Sequence, residues 1–361
     1  MQGKDTEVPF EGRRGRGAVS NASGRFERQS RHRFDDGWDT EPAPPPLRTE
    51  LIEDKSRSII ARNDSPDVPF EQSINPYRGC EHGCVYCFAR PTHTYLGLSA
   101  GLDFESRLFY KPRAAELLEA ELRRPGYRCR TIAMGTNTDP YQPVEQRLEI
   151  TRAILQVMLA YRHPVSIVTK SASVVRDLDI LSELAAQGLV KVGVSVTTLD
   201  RSLARRMEPR AATPARRLGA IRRLTEAGIP TGIMLAPVIP AINDAEIEDI
   251  LAASAAAGAV GAGYVLLRLP LEIKELWREW LAEHYPDRAE RVMSLVRQTR
   301  GGRDYDAAFG RRMRGQGPYA ELIRRRFKLA AKRHGLDREA PALDTTRFAP
   351  PPRPGDQLSL L

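Results

Sequence analysis

Three cysteines within eight residues are the first candidates for chemistry in this sequence. Cys80, Cys84 and Cys87 have the spacing C-x3-C-x2-C, and the only other cysteine of the chain is Cys129. Thiolates spaced so closely can bind a metal centre. Because four thiolates usually hold an iron–sulfur cubane, three would leave one position of such a cluster open. The spacing therefore indicates a reactive metal site rather than a purely structural one.

Two other interpretations of the cysteines are a disulfide framework and a structural zinc site. Disulfides are typical of small secreted domains, and the polar start of the chain, Met1-Gln-Gly-Lys-Asp-Thr-Glu, lacks the apolar segment of a signal peptide. Structural zinc needs four ligands, usually in two pairs. His82, His93 or Cys129 would have to complete such a site, because a second pair of cysteines is missing.

The residues around the cysteines resemble a known family. The run Cys80-Glu-His-Gly-Cys84-Val-Tyr86-Cys87 is similar to the C-x3-C-x-aromatic-C signature of the radical S-adenosylmethionine (radical SAM) enzymes. With its preceding flank, Ser73-Ile-Asn-Pro-Tyr-Arg-Gly, the segment resembles the branch related to spore photoproduct lyase. The resemblance extends over residues 69–271 and implies that Cys80, Cys84 and Cys87 hold a 4Fe–4S cluster whose free iron binds S-adenosylmethionine.

Strand-like and helix-like runs alternate between residues 69 and 270. The predicted strands are residues 72–75, 131–135, 165–169, 191–196, 232–237 and 263–267, and the predicted helices are residues 114–123, 144–161, 174–187, 214–227 and 244–257. Ser173 and Pro214 mark helix starts, and Gly188, Gly228 and Gly258 mark helix ends. This alternation predicts an α/β fold with a parallel sheet. Six such units make a partial (β/α)6 barrel of the TIM type, the fold that the resemblance implies.

Polar residues follow several predicted strands, at the end of an α/β barrel where active sites gather. The resemblance implies that Thr136, Asn137, Thr138 and Asp139 receive the ammonium group of the methionine moiety. It also implies that Lys170 pairs with the carboxylate and that Ser195 hydrogen-bonds the ribose or the carboxylate. Tyr86 and Phe88 would frame the adenine, and Val238 and Ile239 would form an apolar shelf against it. The residues alone equally allow turns, a lysine at the rim and a buried hydroxyl group.

Two further residues bear on the reaction. The related enzyme that repairs DNA photoproducts carries a cysteine hydrogen donor just after the second strand, where this chain has Thr136. Cys129 precedes that strand, and we expect it to be a small buried hydrophobic residue. Photoproduct-lyase chemistry is therefore disfavoured. Arg210, in the run Glu208-Pro-Arg, could hold an anionic group or only tie a helix to the barrel.

Composition and charge divide the chain of 361 residues into four predicted regions. These are a basic, Pro/Gly-rich and largely disordered region at residues 1–65, the core barrel at residues 66–271, a helical extension at residues 272–338 and a loose Pro-rich tail at residues 339–361. The net charge of +9 suits nucleic acid as a partner but is equally explained by solubility. No run of about 18 apolar residues predicts a membrane span, and few cysteines without a signal peptide predict a cytoplasmic protein.

The sequence thus predicts a radical SAM enzyme that cleaves S-adenosylmethionine and abstracts hydrogen from an unidentified substrate, with nucleic acid as one candidate. The expected partner is a reductant such as flavodoxin or ferredoxin. One alternative is a DNA photoproduct-lyase-like repair enzyme with a different hydrogen donor. The other is a nucleic-acid-binding protein whose cluster is structural or redox-sensing.

Overall fold

The computed structural model describes residues 15–27, 47–338 and 342–352. Its strands are β1 (Glu50–Glu53), β2 (Ile60–Arg62), β3 (Gln72–Ile74), β4 (Tyr77–Arg78), β5 (Arg107–Tyr110), β6 (Ile132–Met134), β7 (Val165–Thr169), β8 (Val190–Ser195), β9 (Thr231–Val238) and β10 (Gly261–Leu266). Its α-helices are α1 (Leu102–Ser106), α2 (Ala114–Leu122), α3 (Glu145–Leu148), α4 (Ile150–Ala160), α5 (Leu178–Ala186), α6 (Arg201–Met207), α7 (Pro214–Glu226), α8 (Ile247–Ala256), α9 (Ile273–His284), α10 (Ala289–Gln298) and α11 (Pro318–Arg333). Short 3-10 helices span Arg90–Leu96, Ala172–Asp177, Asp244–Glu246 and Pro286–Arg288.

The main sheet has seven strands in the order β10-β9-β8-β7-β6-β3-β2. The six strands from β3 to β10 in this sheet are parallel, which confirms the predicted α/β fold and its partial (β/α)6 barrel. β2 adds an antiparallel edge strand next to β3. A smaller sheet, β1-β5-β4, lies outside the barrel order. β1, β2, β4 and β5 were not predicted, because runs of two to four residues carry almost no periodicity.

Burial alternates along the barrel strands because successive side chains point to opposite faces. In β9, Ile233 and Leu235 are buried in the hydrophobic core, whereas Met234 and Ala236 are only half-buried. In β7, Ile167 is buried and Val168 is exposed. The half-buried set faces the interior of the open barrel, where a ligand cavity can form.

Most predicted helix boundaries agree with the structure. Pro214 is the first residue of α7, and Gly188, Gly228 and Gly258 have φ values of 70°, 75° and 99°, in the left-handed region that glycine adopts at helix ends. The predicted Ser173 cap is wrong. The hydroxyl of Ser171 accepts the hydrogen bond from the Ser173 N–H instead (3.1 Å).

Within residues 1–65, predicted to be largely disordered, the structure describes residues 15–27 and 47–65, and parts of these segments contact the barrel. β1 and β2 pair with β5 and β3. Residues 15–24, which we call the N-terminal strap, pack on the barrel with Ala18, Val19 and Ser20 buried. A buried acceptor, the Glu105 carboxylate, binds the backbone of the strap and compensates for its few apolar side chains. Residues 1–14 and 28–46 lie outside the described residues; they include the first half of a basic, Gly-rich run at residues 12–17 and the Pro-rich segment at residues 42–46.

The C-terminal part continues past the barrel as α9, α10 and α11. Of the predicted loose tail, residues 342–352 contact the barrel: the N–H groups of Asp344 and Ala349 donate to the carbonyls of Gly188 and Tyr161 (3.1 and 3.0 Å). Phe348 anchors this segment against the rings of Tyr127 and His163. Residues 339–341 and 353–361 lie outside the described chain. No helix among the described residues is long and apolar enough to cross a membrane.

Candidate active site

A cavity of about 320 Å³ lies at the carboxyl ends of the parallel strands. It brings together residues from the cysteine loop and from the ends of β6, β7 and β8, as expected for an α/β barrel. The predicted site residues that line it are Cys80, Cys84, Tyr86, Cys87, Phe88, Thr136, Asn137, Thr138, Asp139, Lys170 and Ser195.

The three cysteines of the loop are free thiols that line one wall of this cavity. Burial raises the pKa of all three thiols, and the nearby Asp139 carboxylate raises that of Cys80 further. Metal coordination ionises such thiols outright. The described residues contain no group of three His, Cys, Asp or Glu side chains that could hold a single ion. A cubane does not need such convergence, because its thiolates bind different irons. Three buried thiols on one cavity wall are the type of donor that holds iron–sulfur clusters.

A buried arginine holds the backbone of the cysteine loop. Arg90 donates to the carbonyl oxygens of Gly83 (3.1 Å) and Cys84 (2.8 Å), and forms an ion pair with Glu105 (2.5 Å). Its remaining N–H groups donate to the carbonyls of Ala100 and Gly101. Arg90 was not predicted, although an arginine three residues after the last cysteine was a usable signal.

The N-terminal strap covers the outside of the same loop. The N–H groups of Gly17 and Ala18 donate to the Glu105 carboxylate (3.0 and 2.8 Å). A Cβ on Gly17 would lie 1.8 Å from the carbonyl oxygen of Gly83, so only glycine fits at this contact. The strap, Glu105 and Arg90 together fix the backbone between the first two cysteines.

The opposite side of the loop is tied to the segment after β6. Gln142 accepts from the N–H of Glu81 (2.8 Å) and donates to the hydroxyl of Thr138 (3.1 Å), which donates to the Gly79 carbonyl (2.7 Å). The carboxylate of Glu81 also pairs with Arg210 at 3.0 Å. Arg210 thus ties the loop after α6 to the cysteine loop.

Asp139 connects the ends of β6 and β7. Its carboxylate accepts from the Thr169 hydroxyl (2.7 Å), the Lys170 N–H (2.7 Å) and the Tyr141 N–H (2.9 Å). Burial alone would raise the pKa of this carboxyl, but His82, with Nδ1 at 3.3 Å, and these donors lower it to about 2. Asp139 is therefore a carboxylate whose oxygens already have protein partners.

The other two predicted residues after β6 differ in their contacts. The Thr136 hydroxyl hydrogen-bonds the side chain of Asn75 (3.1 Å), which also accepts from the N–H of Asn137 (3.0 Å). The Asn137 side chain is exposed in the cavity and forms no hydrogen bond to a described residue. Its amide oxygen is thus available to a ligand.

A buried network supports Tyr86. The Tyr86 hydroxyl donates to Glu208, which accepts from Thr197 (2.8 Å) and forms an ion pair with Arg217. Arg217 in turn donates to the carbonyl of Ser195 (3.1 Å). The network links the aromatic residue of the cysteine motif to the end of β8.

Lys170 projects into the cavity over this aromatic ring. Its Nζ lies 5.7 Å from the centre of the Tyr86 ring, and no carboxylate in the described part of the chain forms an ion pair with it. The ammonium group can therefore donate hydrogen bonds to a carboxylate of a bound molecule. The Ser195 hydroxyl makes only a long contact of 3.4 Å with the Ala236 carbonyl.

The prediction for Val238 is wrong. The register between β9 and β10 shifts at this point so that Val238 pairs with Leu266, and its side chain is fully buried in the core rather than in the cavity. Ile239 is also buried, in a second apolar cluster. The apolar wall of the cavity is made instead by residues that the sequence analysis missed, including Met234, Ala236, Pro237 and Met313.

Comparisons with known proteins agree with this geometry. The model of the radical SAM superfamily matches residues 74–253. The uncharacterized protein Rv2578c of Mycobacterium tuberculosis is 40% identical over 233 residues, which cover 64% of this chain and 68% of that protein. The uncharacterized protein MJ0683 of Methanocaldococcus jannaschii is 27% identical over 199 residues, 55% of this chain and 71% of that protein.

A solved structure of spore photoproduct lyase complexed with dinucleoside spore photoproduct has a similar fold. The TM-score is 0.55 with 15% identity, and the match covers 79% of each chain. At this identity the likeness shows the fold. The fold, the three thiols in one cavity and the family match lead to one conclusion: this chain belongs to the radical SAM superfamily of enzymes.

Proposed function

We propose that this protein binds a 4Fe–4S cluster through Cys80, Cys84 and Cys87 and uses it to cleave S-adenosylmethionine reductively, so that hydrogen is abstracted from an organic substrate. The observation that carries the proposal is that these three thiols share one cavity with Asn137, Lys170 and Ser195. When bound, the cluster would supply the electron that converts S-adenosylmethionine to methionine and a 5′-deoxyadenosyl radical.

The polar residues of the cavity suit the two charged groups of the methionine moiety. The Asn137 amide oxygen is an acceptor for an ammonium group, whereas the Thr138 hydroxyl already bonds to Gln142 and to the Gly79 carbonyl. Lys170, whose ammonium lacks a carboxylate partner among the described residues, is the donor for the carboxylate. Thr136 and Asp139 act indirectly, since Asn75 and the β7 end already occupy their polar atoms.

The remaining cavity residues would orient the nucleoside and exclude water. Tyr86 is held by Glu208 and cannot swing away without breaking a buried network. Phe88, Met234 and Pro237 add apolar surface that keeps solvent from a reactive intermediate. Ser195 offers its hydroxyl to the ribose or the carboxylate.

The test is anaerobic reconstitution with iron and sulfide, followed by reduction in the presence of S-adenosylmethionine. The wild-type protein should contain about four irons per chain and form 5′-deoxyadenosine. Cys84→Ala should lose both. Cys129→Ala is the matched control and should keep both, because Cys129 does not line the cavity.

Two outcomes would contradict parts of the proposal. Iron binding without 5′-deoxyadenosine would favour the alternative of a structural or redox-sensing cluster. Full iron content in Cys84→Ala would refute the ligand assignment. The expected electron donor is a flavodoxin or ferredoxin, and chemical reduction with dithionite separates a wrong donor from an inactive protein.

The photoproduct-lyase alternative is tested separately. Apart from the three proposed ligands, no cysteine in the described chain lines the cavity, so a thiol hydrogen donor is missing there. Turnover of a dinucleotide photoproduct by the reconstituted protein would revive this alternative.

A further inference from the structure

A second cavity, of about 560 Å³, lies beside the first, outside the strand ends. Its walls come from the cysteine loop at His82, the 3-10 helix that starts at Ala172, the loop before α7 and the exposed face of α7. Its volume is within the usual range for small-molecule sites. The proposed radical chemistry does not use this cavity.

The cavity is cationic. Arg210, Arg216 and Arg223 line it, and no Asp or Glu of the described chain does. Arg210 is paired with Glu81, whereas Arg216 and Arg223 form no ion pair with any described residue. An arginine fork without a carboxylate partner matches the oxygens of a phosphate group.

The spacing along α7 keeps the floor between these arginines open. Arg216 and Arg223 are seven residues apart, so they lie on one face of the helix about 10 Å apart along its axis. Gly219 and Ala220 lie between them, and a Cβ added to Gly219 would meet no atom within 4 Å. Small residues flanked by arginines leave room for a ligand that reaches the helix surface.

The polar groups at the back of the cavity retain hydrogen-bonding capacity. His82 is 2% exposed, and its only described polar partner is Asp139, whose carboxylate lies 3.3 Å from Nδ1. The buried hydroxyl of Tyr141 has no well-formed hydrogen bond within the described residues. Both side chains line the cavity, together with Ser171 and Ser173. These groups can bond to an oxygen-rich ligand.

The two cavities are neighbours. His82 lines both, and the adjacent residues Lys170 and Ser171 line one cavity each. A ligand group bound by Arg216 and Arg223 would therefore lie next to the site proposed for radical formation.

We propose that this arginine-lined cavity binds a phosphate group of a nucleotide substrate, either free or within an oligonucleotide. The proposal names a substrate class for the proposed function and rests on it to that extent. Binding to the cavity itself does not depend on the cluster.

The test measures binding of the full chain, purified anaerobically, before and after reconstitution. The probes are pyrophosphate, a nucleoside monophosphate and a fluorescent eight-nucleotide DNA strand, each at three salt concentrations. In the double variant Arg216→Ala/Arg223→Ala, the affinity for at least one probe should fall about 10-fold. For the DNA strand, the slope of log affinity against log salt concentration should become shallower by the equivalent of about two phosphate contacts. Arg222→Ala is the matched control, because Arg222 is exposed on α7 but does not line the cavity.

The probes separate the two sources of the phosphate. Binding of the monophosphate assigns a free nucleotide, and binding of the strand alone assigns a nucleic acid; either supports the proposal. Equal losses in the double variant and in Arg222→Ala would overturn it, because general surface charge would then explain the binding. Absence of binding for all three probes would also overturn it. Phosphate binding without 5′-deoxyadenosine formation would leave the cavity assigned and refute the proposed function.

Discussion

Arg90 is bonded more completely than any other side chain at the site. Each of its five N–H donors reaches an acceptor, four backbone carbonyls and the Glu105 carboxylate. The planar guanidinium fixes all these directions at once, which a lysine with one ammonium group cannot do. The position of Cys84 therefore depends on the shape of the Arg90 side chain as well as on its charge.

We predict that Arg90→Lys lowers the free energy of unfolding by about 3 kcal/mol, because buried carbonyls and a buried carboxylate lose their donors. Urea denaturation of the metal-free protein measures this as a lower midpoint at an unchanged m-value. Arg113→Lys is the control, since Arg113 forms an exposed pair with Glu116. Equal midpoints for the Arg90→Lys and Arg113→Lys variants would contradict the prediction.

His163 gives a pH-dependent prediction far from the cavity. Burial lowers its pKa from 6.5 to about 4, and its ring contacts the Tyr127 hydroxyl at 2.8 Å. The unfolded chain thus takes up the proton at higher pH than the folded chain. The contribution of the neutral, buried His163 to the free energy of unfolding is therefore fully present above pH 6.5. It declines by about 3 kcal/mol as the pH falls towards 4.

His163→Gln should therefore weaken the loss of stability between pH 6.5 and pH 4. Denaturation midpoints at pH 8, 6 and 4.5 measure the change. His93, whose pKa burial also lowers to about 4, keeps a similar dependence in the variant and serves as the internal reference. A variant with the full wild-type slope would show that His163 does not titrate in this range.

At the scale of elements, the cysteine loop is held from both sides by segments distant in sequence. Gln142 and Thr138 support it from the β6 end, and the N-terminal strap supports it from outside. The loop itself has little regular structure, so these contacts define its shape. A loop that presents three metal ligands depends on such support.

We predict that deletion of residues 1–24 reduces the iron retained after reconstitution and desalting by at least about twofold, since ligand support typically affects metal affinity 10-fold or more. Deletion of residues 1–14 is the control, because the contacts with Glu105 begin at Arg16 and Gly17. Gly17→Ala should resemble the longer deletion, as its Cβ would collide with the Gly83 carbonyl. Iron content and chymotrypsin cleavage after Tyr86, Phe88 or Tyr95 report the change independently of activity. Wild-type values for the longer deletion would refute a role for the strap.

For the molecule as a whole, local patterns predicted the strands and helices of the barrel, whereas the candidate cavity residues came from the family resemblance. The six parallel strands and the glycine helix ends were legible because β-branched runs and helix-stop signals act over a few residues. The cysteine loop was legible for the same reason. Val238 was misassigned because a one-residue shift in register, invisible in the sequence, turned its side chain into the core.

The contacts that support the cysteine loop could not be predicted from local sequence patterns. Gln142 bonds to a residue 61 positions away and Glu105 to residues 87 and 88 positions away. Neither residue has a distinctive neighbourhood in the sequence. The net charge of +9 likewise gave no location, because the cationic cavity forms only where α7 packs against the 3-10 helix and the cysteine loop.

The strap also bears on the order in which the protein assembles. Its contact with Glu105 closes a segment of 88 residues, and closure of such a length costs about 4 kcal/mol of chain entropy. That cost is recovered only after the barrel has placed Glu105 and Gly83. The strap should therefore dock last during folding and detach first during unfolding. The backbone of the cysteine loop would then lack this support in a nearly complete barrel and would be fixed in the last step.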